Sequence, residues 1–386
     1  MRLLYLVHDL SDSAVWRRVA MLERAGATVS VAGFDRGKGT PGGPAIRLGL
    51  TRDGKMRQRV MAVARAMTAL GPALRHQTAP DAIIARNLEM LALARRARML
   101  WRGPRPRLVY EVLDIHRMML GEGRRARTLR RVERWLAQPV DLVLTSSPAF
   151  VRHYFDRYRP CAAPVRVVEN KSFGADLPRA QLKEASTPPP LVIGWFGILR
   201  CAVSLDVLDR LTRHMPGRLR VDLRGRPAYD AIPDFDGRVA ANPDLVFHGP
   251  FRNPEDLGAI YGAVHLAWAV DRFDAGENSD WLLPNRLYEG CLHGAVPIAL
   301  AGTELTRLLA AEGIGIVLPD LAPETVAASL ALDDPDRLAR LRGAVANSPA
   351  ERWAITRQDC DDLLCAIVQR PPARPRQMAD TQEVLS

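Results

Sequence analysis

No apolar run in these 386 residues approaches the ~20 that a membrane-spanning helix needs. Cysteine is sparse and scattered: the five, at 161, 201, 291, 360 and 365, are odd in number and form no CxxC pair. That excludes a cysteine-built zinc site and suits reduced thiols in a cytosolic protein. No GxGxxG follows the first strand pattern, so a dinucleotide-binding reading is not supported. Neither a zinc finger, an RNP-type strand nor an interleaving of aromatic and basic residues points to nucleic acid. Internal repeats are absent. The opening Met1-Arg2 followed by LLYLVHDL is too short and too soon charged for a signal peptide, and reads as a first buried strand.

What is present suits a soluble globular chain: 47% apolar and 25% charged residues, long enough for two domains with a core each. Charge is divided unevenly. Residues 1–190 hold 34 Lys and Arg against 16 Asp and Glu, a balance of +18, whereas the remainder of the chain balances at −7. Two stretches dominate the basic half. Residues 52–77 place Met56, Val60, Met61, Val63, Ala64, Met67 and Leu70 at amphipathic-helix spacing, among Arg57, Arg59 and other cations. Residues 124–135 place Leu129, Val132 and Leu136 on one side, with Arg124, Arg125, Arg127, Arg130, Arg131 and Arg134 around them. Solvated faces of core-packed helices explain such patterns, yet basic amphipathic helices without compensating acids also bind anionic lipid. The reading here favours a membrane surface.

Along the chain, short apolar runs alternate with helical patterns, the signature of α/β architecture with parallel sheets. Strands are expected at 3–7, 28–32, 81–85, 108–113, 141–145 and 165–170. A helix at 13–25 between the first two is capped by Asp12 or Ser11 and ended by Gly26. Polar residues at the carboxyl ends of parallel strands line the ligand crevice of such folds. Arg86 is therefore an acceptor or phosphate contact, with Asn87 either beside it or capping a helix. Asp114 and His116, at i and i+2 after one strand, suit a general base and its orienting partner; the bland alternative is an N-cap by Asp114 beside a surface histidine.

Residues 176–190, with three consecutive prolines, read as a linker between a first domain (1–175) and a second (191–349). A helix at 350–370 is expected to cross back to the first domain, and 371–386 to be a disordered tail. The second domain opens with the stretch 191–200; strands are expected at 221–225, 245–249, 265–270 and 296–300, a loop at 271–281, and helices at 257–263, 303–311 and 323–345. Gly197 and Gly225 let backbone approach a ligand closely, and Arg200 suits a diphosphate. His248 reads as a structural histidine.

The densest signal is NSDWLLPNRLYEGCLHGAVPIAL at 278–300. Pro284 suits the opening of a helix over 285–293, and Gly294 its left-handed cap. A helix opened by a loop presents free N–H groups and the positive end of its dipole. A cation there is misplaced unless an anion joins it, so Arg286 points to a bound phosphate and Glu289, on the same face, to an acceptor of sugar hydroxyls. An ordinary surface Glu–Arg pair gives the same spacing.

PNRLYEGCLHGAVPIA resembles the donor-binding segment of two-domain GT-B glycosyltransferases, especially glycosyltransferase family 4, and the resemblance extends over most of residues 1–345. VYEVLDIHR and NSDWLLPNRLYEG look most like bacterial exopolysaccharide assembly transferases. Two departures stand out: Trp281 occupies the place of the family's first Glu, eight residues before Glu289, and Val203 that of a usual Lys. Leu113 also replaces the family's usual His before Asp114. The resemblance implies two Rossmann-like domains and transfer of a hexosyl-type sugar from a nucleotide diphosphate, with no metal or other cofactor. It implies donor binding through Gly197, Arg200, Gly225, Asn278, Asn285, Arg286 and Glu289, with Asp114 as base and His116 second. The acceptor would be a lipid-linked saccharide. The chain would then be a cytoplasmic monomer or weak oligomer, peripheral on the cytoplasmic face of the inner membrane. Rival readings are a nucleotide-sugar epimerase or hydrolase on the same fold, and a non-catalytic membrane-bound partner subunit.

Overall fold

The computed structural model describes residues 1–37, 41–51, 56–174, 190–330 and 334–369. The linker at 176–190, apart from Pro190, and the tail at 371–386 lie outside these residues. Seven parallel strands form the first sheet: β1 (Arg2–Val7), β2 (Thr28–Asp35), β3 (Ile46–Leu50), β4 (Ala82–Arg86), β5 (Arg107–Val112), β6 (Leu142–Thr145) and β7 (Val165–Val167), in the order β3-β2-β1-β4-β5-β6-β7. A short strand β8 (Ser172–Phe173) follows. The second sheet takes β9 (Leu191–Leu199), β10 (Leu219–Pro227), β11 (Leu245–Phe247), β12 (Leu266–Trp268), β13 (Val296–Leu300) and β14 (Ile316–Leu318), in the order β11-β10-β9-β12-β13-β14. Both are Rossmann-like windings that reverse direction beside their first strand, between β1 and β4 and between β9 and β12. Ligands bind α/β folds at such reversals.

Strand alternation builds the cores. Along β1, Leu3, Tyr5 and Val7 face one side, toward helix Ser13–Arg24; Leu4 and Leu6 face the other, toward helices Met56–Leu74 and Leu88–Ala97. Strands β4, β5 and β6 are buried throughout, as sheets covered on both faces require. Near its end the chain pairs β15 (Ala354–Ile355) with β8, then runs into helix Arg357–Val368. Cys360, Leu363 and Ile367 of that helix pack against Leu3, Tyr5 and Val109 of the first domain. Thr356 opens the helix with a capping box to Asp359.

Several local expectations change. The pattern at 323–345 becomes two helices, Pro323–Leu330 and Pro335–Asn347, as suits a proline at the second start. The region 350–370 holds a short helix, a strand and a longer helix instead of one. The loop expected at 271–281 ends in a helical turn, Asn278–Trp281. Strand β3 is not among the expected strands: it alternates Ile46, Leu48 and Leu50 with Arg47 and Gly49, but over only five residues that directly follow a Gly- and Pro-rich stretch.

Candidate active site

The carboxyl ends of β1, β4 and β5 meet around a buried charge cluster. Glu111 is fully buried, takes a hydrogen bond from the Tyr5 hydroxyl, and pairs with Arg18 at 2.8 Å and Arg86 at 3.4 Å. Burial alone would raise its carboxyl, but Arg18 and Arg86 outweigh that and hold it below the ordinary value. Arg86 turns its other terminal nitrogen to Asp12, 2.9 Å away. The guanidinium expected to meet a phosphate is thus engaged inside the domain, because a buried cation without such partners would be prohibitively costly. Asn87 takes a positive φ of 71° and caps nothing with its side chain, which instead lies 3.3 Å from His8 Nδ1. Desolvation, reinforced by Arg86 and Arg36, lowers His8 to about 4, so its imidazole stays neutral.

Beyond β5 the chain presents Asp114 to the cleft between the domains. Water reaches this carboxylate, yet protein walls surround it. That partial desolvation raises its carboxyl; Arg200 and Arg86 act against the rise, while Asp12 and Asp274 add to it. Arg200 and Asp274 belong to the second domain, so Asp114 feels both sides of the cleft. His116 does something else. Its Nδ1 accepts the Met118 N–H at 3.2 Å, capping a single turn at Arg117–Met119. That turn occupies Nδ1 and leaves Nε2 as the ring nitrogen able to meet Asp114 or an acceptor.

In the second domain, glycines shape the floor. A Cβ on Gly225 would strike the Gly197 carbonyl at 1.8 Å, so the need for glycine there is contact between neighbouring strands. Gly197 itself, at φ 107°, faces open space. Arg200 pairs with Asp271 at 3.3 Å and lies over the Phe273 ring at 4.7 Å. Val203, where the Lys was missed, is exposed on the helix that follows.

Helix Asn285–Leu292 opens after Pro284 with no side chain capping its first N–H groups. Arg286 donates to the Trp268 carbonyl at 3.0 Å. Glu289 is buried and its two oxygens accept from Asn253 at 2.9 Å and Tyr261 at 3.1 Å. These bonds aim the carboxylate along the helix toward the loop after β11. Asn278 departs from expectation: both ends of its amide bind the backbone of Ile115 in the first domain. It joins domains and does not face the donor pocket. Trp281 does likewise, stacking on His153 at 5.3 Å and meeting Phe150 edge-on, while its carbonyl accepts from Ser147. The family's missing Glu is therefore replaced by a docking residue.

Sequence reasoning missed Tyr5, Glu111, Arg17 and Arg18. A Glu inside a buried-strand pattern and a paired Arg-Arg on an amphipathic helix were the available signals.

The basic helix Arg124–Ala137 also turns differently from its pattern. Its inward face carries Ala126, Arg130, Glu133, Leu136 and Ala137 with Leu129 packed beside them, while Val132 and Trp135 are 42% and 58% exposed. Arg130 donates to the Met119 and Gly121 carbonyls and lies over Tyr158, so it is not a surface cation. Glu133 accepts from Tyr110 and Tyr154, and burial raises its carboxyl to about 7. Arg124, Arg125, Arg127 and Arg131 remain exposed. Arg59 pairs with Glu89, and the side chain of Arg57 lies outside the described residues. No helix among the described residues is long and apolar enough to cross a membrane, and none of their acidic, His or Cys groups cluster to hold a metal.

Two Rossmann-like domains that dock on each other through Asn278, Ile115, Trp281 and His153 have the GT-B architecture. A family model, that of the glycosyl transferase 4-like domain, matches residues 12–171. The succinoglycan biosynthesis protein ExoL of Rhizobium meliloti (strain 1021) is 46% identical over 373 residues, 94% of this chain and 92% of that protein. The chain belongs to the glycosyltransferase 4-like family and is a glycosyltransferase. Sucrose-phosphate synthase from Thermosynechococcus elongatus superposes with a TM-score of 0.71 at 15% identity, covering 94% of this chain and 97% of that one. Anabaena HepE, solved with UDP and glucose, superposes at 0.67 and 17% identity, covering 95% and 98%. At these identities the likeness is one of fold.

Proposed function

We propose that this glycosyltransferase acts in exopolysaccharide synthesis, moving a sugar from a nucleotide diphosphate held by the second domain to a lipid-linked saccharide presented by the first. The observation that carries this reading is the cleft itself. An uncapped helix start beside Arg286, the open face of Gly197 and Arg200 lie on one side, and a carboxylate with a raised pKa, Asp114, lies on the other. The relative that matches nearly the whole chain is named for succinoglycan biosynthesis.

The chemistry follows from these positions. The bond from the anomeric carbon to the terminal phosphate oxygen breaks, its electron pair remaining on the phosphate. Helix N–H groups, Arg286 and Arg200 stabilise the growing charge. The acceptor oxygen forms the new bond, and Asp114 takes its proton where the reaction inverts the anomeric centre. Glu289 reaches the sugar hydroxyls only if its ties to Asn253 and Tyr261 give way in part.

The exposed arginines of helix Arg124–Ala137, with Trp135 and Val132 among them, support docking on an anionic membrane, which brings the cleft to a lipid-borne acceptor. Mass analysis of the lipid-linked oligosaccharides that accumulate when the gene is deleted tests the whole reading. A truncated saccharide one sugar short supports it; unchanged lipid-linked intermediates overturn it.

A further inference from the structure

Arg17 sits on the first-domain helix Ser13–Arg24, just after the β1 turn. Its Nη1 donates to the Asn170 carbonyl at 3.0 Å and the Lys171 carbonyl at 3.4 Å, and lies 3.5 Å from Asn285 Oδ1 in the second domain. Asn285 is the first residue of the helix that carries Arg286 and Glu289. Among the described residues Arg17 forms no ion pair, and its Nε and Nη2 make no hydrogen bond. Arg286 likewise has no carboxylate partner there and bonds only the Trp268 carbonyl. Glu289 and Asp12 attract Arg17 without bonding it: Glu289 accepts from Asn253 and Tyr261, and Asp12 pairs with Arg86.

Arg17 of the first domain therefore touches the first residue of the helix that carries Arg286, with part of its guanidinium fork unbonded. Each part of that arrangement is unfavourable alone. The helix dipole presents its positive end to Arg17, and desolvation, with Arg18 and Arg86 adding to it, lowers the Arg17 pKa against the pull of Glu289 and Asp12. An anionic group at the helix start offsets both terms at once. The backbone carbonyls of Asn170 and Lys171 hold one terminal nitrogen and leave the rest of the fork free, a geometry that suits a phosphate.

We propose that Arg17 is a ligand for the diphosphate of the nucleotide-sugar donor, gripping it from the first domain while Arg286 and the helix start hold it from the second. This rests on the donor-site reading above and adds a contact from across the cleft. Because the leaving diphosphate gains charge as the anomeric bond breaks, Arg17 binds the departing group more tightly than the intact donor, and its grip also draws the domains together.

Calorimetry on the full chain tests this with UDP, GDP, ADP and dTDP, followed by the matching nucleoside of whichever diphosphate binds. Arg17→Met is expected to weaken the diphosphate at least tenfold, leave the nucleoside unchanged and leave the ligand-free melting point in place. Arg17→Lys, which keeps charge without the fork, is expected to fall between. If diphosphate affinity is unchanged in Arg17→Met, the proposal fails while the donor-site reading stands. If diphosphate and nucleoside weaken together in both variants, Arg17 is a structural tie and the proposal fails. If the unaltered chain binds none of the four diphosphates, the donor-site reading falls and takes this contact with it.

Discussion

Asn278 of the second domain pairs with both backbone groups of Ile115 in the first: its Oδ1 accepts the Ile115 N–H at 3.2 Å and its Nδ2 donates to the Ile115 carbonyl at 2.7 Å. Ile115 follows Asp114 directly, so the position of the cleft carboxylate is tied to the seating of the second domain. Together with Trp281 on His153, this pair latches the cleft shut on one flank.

Breaking the latch tests how far closure supports turnover and donor binding. Two buried hydrogen bonds contribute about 1–3 kcal/mol together, roughly a five- to hundredfold shift in the closed population. Asn278→Ala is expected to increase the radius of gyration in small-angle scattering and to lower turnover by about tenfold. Nucleotide diphosphate affinity is expected to weaken as well, because the Arg17 contact is made across the closed cleft. An unaltered scattering profile with normal turnover would show that the latch does not govern closure.

Asp114→Asn keeps the size of the side chain and removes its basicity. Turnover is expected to fall by roughly 10²–10⁴, the range for loss of a general base, with nucleotide binding unaffected. The raised carboxyl gives the pH dependence its sign. Activity needs the deprotonated form, so it declines on acidification at a pH above that of an ordinary aspartate. If His116→Ala is the inactive variant and Asp114→Asn works normally, the two roles are exchanged.

Glu289→Ala removes the acceptor for two buried donors, Asn253 and Tyr261. Leaving them unsatisfied costs about 1–3 kcal/mol each, so the melting point is expected to fall along with at least a tenfold loss of nucleotide-sugar affinity. Thermal denaturation with and without ligand separates the two effects. Undiminished affinity in a folded variant would remove Glu289 from the donor site.

Glu133 is a buried acid whose pKa rises to about 7 in the folded chain, mainly through desolvation. A raised acid is stabilising when protonated, so its contribution is complete below the unfolded value and is lost as pH rises through about 7. The loss is at most about 3 kcal/mol on that shift. Between pH ~5 and ~8 the native chain is expected to lose stability that Glu133→Gln does not lose, measured by urea denaturation across that range. Parallel pH profiles for the two proteins would mean that Glu133 stays ionised.

Membrane docking is testable without the acceptor. Replacing Arg124, Arg125, Arg127 and Arg131 with Gln, and leaving Arg130 in its internal role, is expected to release the protein from anionic vesicles. Each such cation near a surface contributes about 1 kcal/mol and is screened by salt. Co-sedimentation across a salt series, with neutral vesicles as control, reads the result. Equal, salt-insensitive partitioning onto both would identify these arginines as an ordinary solvated face.

Legibility followed periodicity. The buried strands and the helix after Pro284 were readable because each signal is local: an apolar run, a proline that fits the opening, a glycine at the end. Arg130 reads as a surface cation because the two carbonyls that hold it inside, like the Tyr110 and Tyr154 hydroxyls that hold its neighbour Glu133, are announced by no local pattern. Asn278 failed for a similar reason. Its partner lies 163 positions away, and only domain placement brings them together. Arg86 looked available for ligand because the carboxylates that claim it come from two other parts of the chain.

The return of helix Arg357–Val368 to the first sheet carries a consequence for how the chain is made. Leu3, Tyr5 and Val109 emerge from the ribosome early but gain Cys360, Leu363 and Ile367 as neighbours only after the entire donor-side sheet has been synthesised. The second half can complete its fold during translation, whereas the first half waits with one apolar flank uncovered. A stalled or clipped product lacking residues beyond about 350 therefore exposes that flank permanently. Such a fragment is a natural client for chaperones and proteases, and its yield would reveal the dependence more directly than any measurement on the finished enzyme.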